Sequence, residues 1–304
     1  MNEREKMKRS VRDSLAVGCM RMAALTDREA EAVVLDAVEC GVTLFDHADI
    51  YGDGESEAIF GRVLARNPGL RAKIVLQDKC GICSGYYDSS KEHILEAVDG
   101  SLRRLGVERI DTLLLHRPDA LMEPEEIAEA FALLEREGKV KRFGVSNMNA
   151  VQIALLSAAM PGKVTVNQIQ FGLGHSVIVD EGINVNTNAP QGIVRTGGVL
   201  DACRLQGIEV QAWSPLQHGM FEGAFMEAPR YAKLASAVRD MAARKGVSPT
   251  AIAIAWIMRH PAHIRTVLGS MNIEHLHEAY QAAEVCLSRP EWYQLYRLAG
   301  NPLP

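Results

Sequence analysis

Between Thr26 and Gly41 the apolar residues Ala30, Val33, Val34, Ala37 and Val38 recur at the three-and-four spacing that gathers them on one helical face. Thr26 followed three residues on by Glu29 forms a capping box at the start, and Gly41 supplies a stop. The run Val42-Thr43-Leu44-Phe45-Asp46 comes next, with the β-branched and aromatic character of a parallel strand covered on both faces. Strand therefore follows helix, and the alternation recurs. Residues 74–77 read as a strand, and Ser89 to Glu92 begin a helix carrying Ile94, Leu95, Val98, Leu102 and Leu105 before Gly106. Residues 110–115 are again strand-like, and Pro124 opens a helix bearing Ile127, Phe131 and Leu134 that ends at Gly138.

Further strands are expected at 15–17, 142–145, 164–171, 209–213 and 266–268, with helices near 151–158, 199–205, 231–244 and 273–285. The tally is eight strands, which predicts one (β/α)8 TIM barrel, a single α/β domain spanning 1–304. A doubly wound sheet usually stops at about five or six strands, and no Gly-x-Gly-x-x-Gly opens a helix after the first strand. The longest irregular stretches, 172–198 and 216–229, exceed what a compact connection needs and are expected to cover a site.

Charge narrows the class of partner. The 304 residues carry 33 Lys+Arg against 38 Asp+Glu, a net charge of -5, so no global basic field points to nucleic acid. There is no apolar run of about 18 residues, and residues 1–13 lack the apolar core of a signal peptide, so no membrane association is expected and the cytoplasm is the expected compartment. Six scattered cysteines fit reduced thiols better than a disulfide framework.

In a barrel of this kind the reacting groups sit at the C-terminal ends of strands. Asp46, Lys79 and His116 each end or follow an apolar run, and Tyr51 lies on the loop leaving the strand of Asp46. Together they make a proton-transfer device. A tyrosine hydroxyl with a reference pKa of about 10 is a reluctant donor near neutrality, and an ammonium nearby favours its phenolate and lowers that pKa. Lys79 is positioned to supply the charge, Asp46 to keep Lys79 protonated, and His116 to hydrogen-bond a carbonyl oxygen. Taken singly, Asp46 reads as a cap, His116 as a structural histidine and Tyr51 as the start of a turn; their joint placement favours catalysis.

These residues belong to a series of ordered blocks: Phe45-Asp46-His47-Ala48-Asp49-Ile50-Tyr51-Gly52 with Glu57, Lys79 at its strand end, Leu-Leu-Leu-His116-Arg-Pro, Gly144-Val145-Ser146-Asn147 and Ala212-Trp213-Ser214-Pro215-Leu216. From about Leu15 to the end the chain resembles the aldo-keto reductases, and Lys79-Cys80-Gly81-Ile82 with His116-Arg117-Pro118-Asp119 is most similar to a bacterial subgroup of poorly assigned oxidoreductases. The resemblance implies a catalytic tetrad of Asp46, Tyr51, Lys79 and His116, with Tyr51 as general acid in reducing a small carbonyl substrate. It implies NADP(H) as cofactor, with NAD(H) as the alternative. Ser146, Asn147 and Gln168 are implied to bond the nicotinamide carboxamide, Trp213 to stack on its ring, Ser214 and Leu216 to touch the pyrophosphate, and Gly269 with Ser270 to form an anion site at a helix N-terminus. His275 stands where many members carry an arginine for the 2′-phosphate, and Ala279 where an asparagine commonly meets adenine. Weaker discrimination against NADH is therefore expected, with Asn272 donating one further bond.

Other signals carry less. Cys80-x-x-Cys83 leaves a strand into a loop instead of opening a helix, which disfavours a redox pair or half a zinc site. His47-x-Asp49 and His275-x-His277 invite a metal-dependent hydrolase, but Lys79 occupies a place a ligand would need, and no catalytic metal is expected. A nucleotide-binding sensor with little turnover is the remaining alternative.

Overall fold

The computed structural model describes residues 3–304. Among these described residues ten strands occur in chain order: β1 Leu15–Gly18, β2 Leu44–Asp46, β3 Val75–Cys80, β4 Ile82–Cys83, β5 Tyr86–Tyr87, β6 Ile110–Leu115, β7 Val140–Ser146, β8 Val164–Gln170, β9 Glu209–Trp213 and β10 Arg265–Leu268. Eight of them close into a parallel barrel in the order β1, β2, β3, β6, β7, β8, β9, β10, with Leu15 registered against Thr266 where the ring meets itself. The remaining two, β4 and β5, form a small antiparallel hairpin after β3. All eight expected barrel strands are present.

Helices α1 Glu3–Ser14, α2 Asp27–Glu39, α3 Glu55–Arg66, α4 Lys91–Leu105, α5 Pro124–Arg136 and α6 Ala150–Ala159 accompany the first half. The second half carries α7 Val177–Ile183, α8 Val199–Gln206, α9 Ala232–Lys245, α10 Pro249–Met258, α11 Ile273–Tyr280 and α12 Arg289–Leu298. The Thr26–Glu29 capping box forms as read. At α4 the cap is Ser90, whose hydroxyl accepts from the His93 amide, while Ser89 is buried with its N–H on Asp119. The helix expected over 273–285 is α11, continued by a tighter turn from Gln281 to Glu284. Among the described residues no helix is long and apolar enough to cross a membrane.

Five helices, α1, α3, α7, α10 and α12, go beyond the sequence-based expectation, and α3 and α10 show why. The α3 helix starts at Gly54 in a left-handed conformation with no capping side chain, so no cap marks it. The α10 helix is buried on nearly every side and lacks a polar face to set a period. It is held by α12, where Trp256 and Trp292 stack 4.6 Å apart and each indole N–H donates to the other residue's carbonyl at 3.1 and 2.9 Å.

The two long connections carry local order. The 172–198 segment contains α7, and the Glu181 carboxylate gathers it by accepting from the amides of Arg195, Thr196 and Gly198 and from the Thr196 hydroxyl. The 216–229 segment is pinned by an antiparallel bridge between Gln217 and Ala224.

Inside the barrel, Ala16, Leu44 and Val267 make a small apolar floor with Val75 packed against it. The larger core lies between strands and helices. Gly144 on β7 marks where the wall is tightest, because a Cβ there would lie 2.6 Å from the Val166 carbonyl oxygen and 2.7 Å from the Leu114 side chain. Gly144→Ala is expected to destabilise the fold by about 1–3 kcal/mol, whereas Gly182→Ala, which meets nothing within 4 Å, leaves stability unchanged or slightly raised. Urea unfolding of both variants checks the contrast; equal midpoints would contradict it.

Candidate active site

The first four candidate residues converge at the C-terminal mouth of the barrel. Strand alternation sends Gln77 and Lys79 of β3 inward and Asp78 outward. The Lys79 ammonium lies 2.7 Å from Asp46 Oδ2, 2.7 Å from the His47 carbonyl oxygen and 3.3 Å from the Tyr51 hydroxyl oxygen. Three acceptors thus fill its three donor positions. Lys79 is 1% exposed and Asp46 2%. His116 directly follows β6, and its ring meets the Tyr51 ring edge-on at 5.9 Å. Tyr51 is held by a turn through Gly52 at φ 60 and Asp53 at φ 55, and a Cβ on Gly52 would lie 2.4 Å from Ala23 Cβ. Close approach and backbone conformation both call for glycine.

Burial acts on each of these groups. It alone would drive Lys79 toward neutrality, but Asp46 and Tyr51 outweigh it and leave the lysine more basic than usual. Burial, then the charges of Lys79 and Arg117, push His116 well below the usual histidine range, so it is neutral near pH 7 with one ring N–H to donate. For Tyr51 the expectation needs correction. Lys79 does act to lower its pKa, but burial outweighs that charge and the net direction is upward. Tyr51 therefore holds its proton at rest beside a permanent cation.

Beneath the tetrad is a layer that sequence reasoning missed. Asp46 Oδ1 accepts from Gln77 at 2.7 Å and from Gln168 at 3.0 Å. Both glutamines also donate to Gln211 Oε1, and Gln211 returns a bond to Gln77. Gln168 is thus placed in the barrel interior, its amide donors committed to Asp46 and Gln211 and its oxygen left over. A glutamine inside a parallel strand has no sequence mark that separates it from a surface one.

On the other side of the mouth, Ser146, Asn147 and Trp213 are joined. The Trp213 indole N–H donates to Asn147 Oδ1 at 3.0 Å, the Asn147 amide donates to Ser146 Oγ at 2.8 Å, and the Ser146 hydroxyl donates to the Gln168 carbonyl at 2.7 Å. Capping of α6 falls to Asn149, which frees Ser146 and Asn147 from that structural role. Asn147 at φ 59 and Ser214 at φ 48 both sit in the left-handed region at strand ends. Arg117 lies over the Trp213 ring at 5.7 Å, and beside this cluster opens a cavity of about 380 Å³ bordered by Arg117, Gln170, His175 and Arg195. Leu216 is half-buried at the start of the next loop.

At the β10 end, Asn272 caps α11 by accepting from the Glu274 and His275 amides, and its own N–H donates to Ser270 Oγ. His275 is exposed on the first turn, whereas Ala279 is buried in the core. Arg21, absent from the sequence-based set, leaves β1 and donates to the Gly269 carbonyl at 2.7 Å. A cation, a helix N-terminus and exposed polar side chains together fit an anionic phosphate. At the neighbouring strand ends, Trp213 of β9 with Asn147 and Ser146 at the end of β7 offers an aromatic face beside amide and hydroxyl groups, which fits a nicotinamide carboxamide.

The other motif residues lie outside this arrangement. The His47 side chain is buried edge-on against Phe60 at 4.6 Å, and burial lowers its pKa to about 3, so only its carbonyl serves the site. Cys80 and Cys83 are both thiols, and burial pushes Cys80 well above its usual value. Glu57 and Asp78 are buried behind the barrel wall, Glu57 paired with Arg104 at 2.5 Å, and Asp49 near them is half-buried.

The sequence profile of the Aldo/keto reductase family matches residues 14–299. The chain belongs to that family. It is 38% identical over 270 residues to 6-dehydroglucose reductase of Agrobacterium fabrum, covering 85% of this chain and 84% of that protein. It is 31% identical over 290 residues to oxidoreductase YdhF of Escherichia coli, covering 92% and 91%. An aldo/keto reductase from Klebsiella pneumoniae, solved in complex with NADP and acetate, superposes with a TM-score of 0.76 at 26% identity, covering 96% of this chain and 93% of that one. The protein is thus an aldo/keto reductase of the oxidoreductase class, with relatives among bacterial oxidoreductases.

The half-buried Asp49 beside Glu57 gives this aldo/keto reductase a pH signature. Burial, then the charge of Glu57, raises Asp49 to about 7, well above its reference value of about 3.9. Between those values the folded state binds more protons than the unfolded one, so this group's contribution to stability is lost as pH rises through about 7. Asp49→Asn should therefore gain stability relative to wild type as pH is raised from 5 to 8. A difference in urea midpoint that stays constant over that range would refute the assignment.

Proposed function

We propose that this protein reduces aldehydes or ketones to alcohols with NADPH, residues 1–304 acting as one catalytic domain and Tyr51 as the general acid. The observation that carries the reading is the buried Lys79 ammonium, 2.7 Å from Asp46 and 3.3 Å from the Tyr51 hydroxyl. A nicotinamide held by these residues would supply the hydride that the carbonyl carbon receives. Tyr51 gives its proton to the carbonyl oxygen, and the phenolate left behind is stabilised by the ammonium already beside it. Asp46 keeps Lys79 charged throughout. Neutral His116 donates its ring N–H to the same oxygen and directs it toward Tyr51.

The residues present fit the cofactor in parts. Ser146, Asn147 and the free oxygen of Gln168 suit the carboxamide, and the Trp213 ring suits stacking. Ser214 and Leu216 suit the pyrophosphate, and Gly269, Ser270, Asn272 and His275 with Arg21 suit the adenosine phosphate. The NADP held by the Klebsiella relative supports this choice. Polar and cationic groups around the cavity favour a polyhydroxylated or anionic carbonyl compound, in keeping with the name of the Agrobacterium relative.

Purified protein mixed with NADPH and a panel of aldehydes, ketones and sugar aldehydes, followed by absorbance of the reduced cofactor, tests the activity. Tyr51→Phe should slow reduction by about 10²–10⁴ while leaving cofactor affinity within a few-fold. Lys79→Met should cut reduction severely and change its pH profile. Near-normal turnover in Tyr51→Phe would sink the mechanism.

For the cofactor, NADPH is expected to bind more tightly than NADH, and Arg21→Ala should narrow the difference. His275→Arg should widen it, because a guanidinium grips a phosphate with two parallel hydrogen bonds where an imidazole offers one direction at a time. Dissociation constants for both cofactors read the effect. A preference unchanged in both variants would assign phosphate recognition elsewhere.

A further inference from the structure

A second group of chemistry-bearing side chains lies at the opposite end of the barrel from the tetrad. Asp36 and Cys40 stand four residues apart at the end of α2 and share one helical face. His277 reaches them from α11, because β1 sits between β2 and β10 and so the helix preceding β2 adjoins the helix following β10. His277 Nε2 lies 2.9 Å from both carboxylate oxygens of Asp36 and 3.6 Å from Cys40 Sγ. One donor atom from each of the three residues falls within 4.8 Å of the others.

An ordinary ion pair accounts for only part of this. A ring nitrogen carries at most one proton, and here two carboxylate oxygens and a sulfur converge on the same nitrogen. Were that nitrogen unprotonated, its lone pair would face three other electron-rich atoms. A cation at the point of convergence satisfies all of them. We propose that Asp36, Cys40 and His277 form a zinc site that staples the first and last βα units together. A thiolate, an imidazole and a carboxylate are the donors Zn²⁺ prefers, with a water as fourth ligand. Tetrahedral bonds of about 2.0–2.3 Å place ligand atoms roughly 3.4–3.6 Å apart. The sulfur–nitrogen spacing already matches, and the nitrogen–oxygen spacing opens by about half an ångström.

Tyr280 is the independent observation. It is 5% exposed, one turn beyond His277 with its ring 5.9 Å away, and its hydroxyl has no hydrogen-bond partner among the described residues. It is suited to bond the water on the fourth position. His277 is half exposed, so an ion has a path in.

The test uses the full chain, reduced and treated with chelator, titrated with zinc chloride alone. One zinc per chain should bind, and Cys40→Ser and His277→Ala should each weaken it by at least about 100-fold, the order expected when a ligand is lost. Cys83→Ser should leave it unchanged, which separates this site from the other cysteine–histidine contact, 3.8 Å between Cys83 Sγ and His93 Nε2. Zinc should raise the unfolding temperature of the wild type by a few degrees and not that of the two ligand variants, with carbonyl reduction equal in both metal states. Cobalt added to the wild type should give a near-ultraviolet thiolate band and tetrahedral visible bands. Absence of those bands, or equal zinc binding by wild type and both ligand variants, overturns the proposal, and the cobalt spectrum does so without any variant needing to fold.

Discussion

Lys79 and Asp46 bring opposite charges into a space where neither is solvated, and much of the barrel interior is arranged around that fact. Taking an ammonium and a carboxylate out of water costs several kcal/mol each, and their attraction repays it only when the remaining donors and acceptors are also satisfied. The His47 carbonyl and the Tyr51 hydroxyl complete the ammonium, and Gln77 and Gln168 complete the carboxylate. Gln211 then closes the ring of amides. The polar layer stands above the apolar floor, so the barrel changes from a packed core to a charged device within a few residues of strand. A rigid support of this kind fixes the ammonium relative to the tyrosine before any ligand arrives.

Electrostatics at the mouth follow from the same burial. Tyr51 is pushed up, His116 is pushed down and Lys79 stays charged, so the three titrating groups each hold a single protonation state near neutrality. That resting state is one proton on the tyrosine, one on the neutral imidazole and a full complement on the lysine. The other half of the mouth is built by backbone strain: Asn147 and Ser214 adopt left-handed conformations at the ends of β7 and β9, and the Trp213–Asn147 hydrogen bond ties the two strand ends together.

Much of this was legible in the sequence for physical reasons. Parallel strands covered on both faces show as short apolar runs, so all eight barrel strands could be read, and the polar residue ending each run pointed to the tetrad. The α3 and α10 helices were hidden because one lacks a capping side chain and the other lacks a polar face. Gln77 and Gln211 were hidden because an inward glutamine has the same letters around it as an outward one. The direction of the Tyr51 shift needed burial, which sequence spacing does not report, and Arg21 needed the ring closure that carries the β1 exit to Gly269.

That ring closure has a kinetic side. Pairing of Leu15 with Thr266 joins the first strand of the barrel to the last, so during synthesis β1 emerges long before its second neighbour exists. Until β10 arrives, the growing sheet has two open edges, and each presents unpaired amides and carbonyls that are templates for intermolecular pairing. Contacts of such long sequence separation also form slowly, since the entropy of closing the loop must be met before the pairing rewards it. The nascent chain is therefore most prone to aggregation just before its final strand docks, and anything that shelters the β1 edge during that interval raises the yield of native protein.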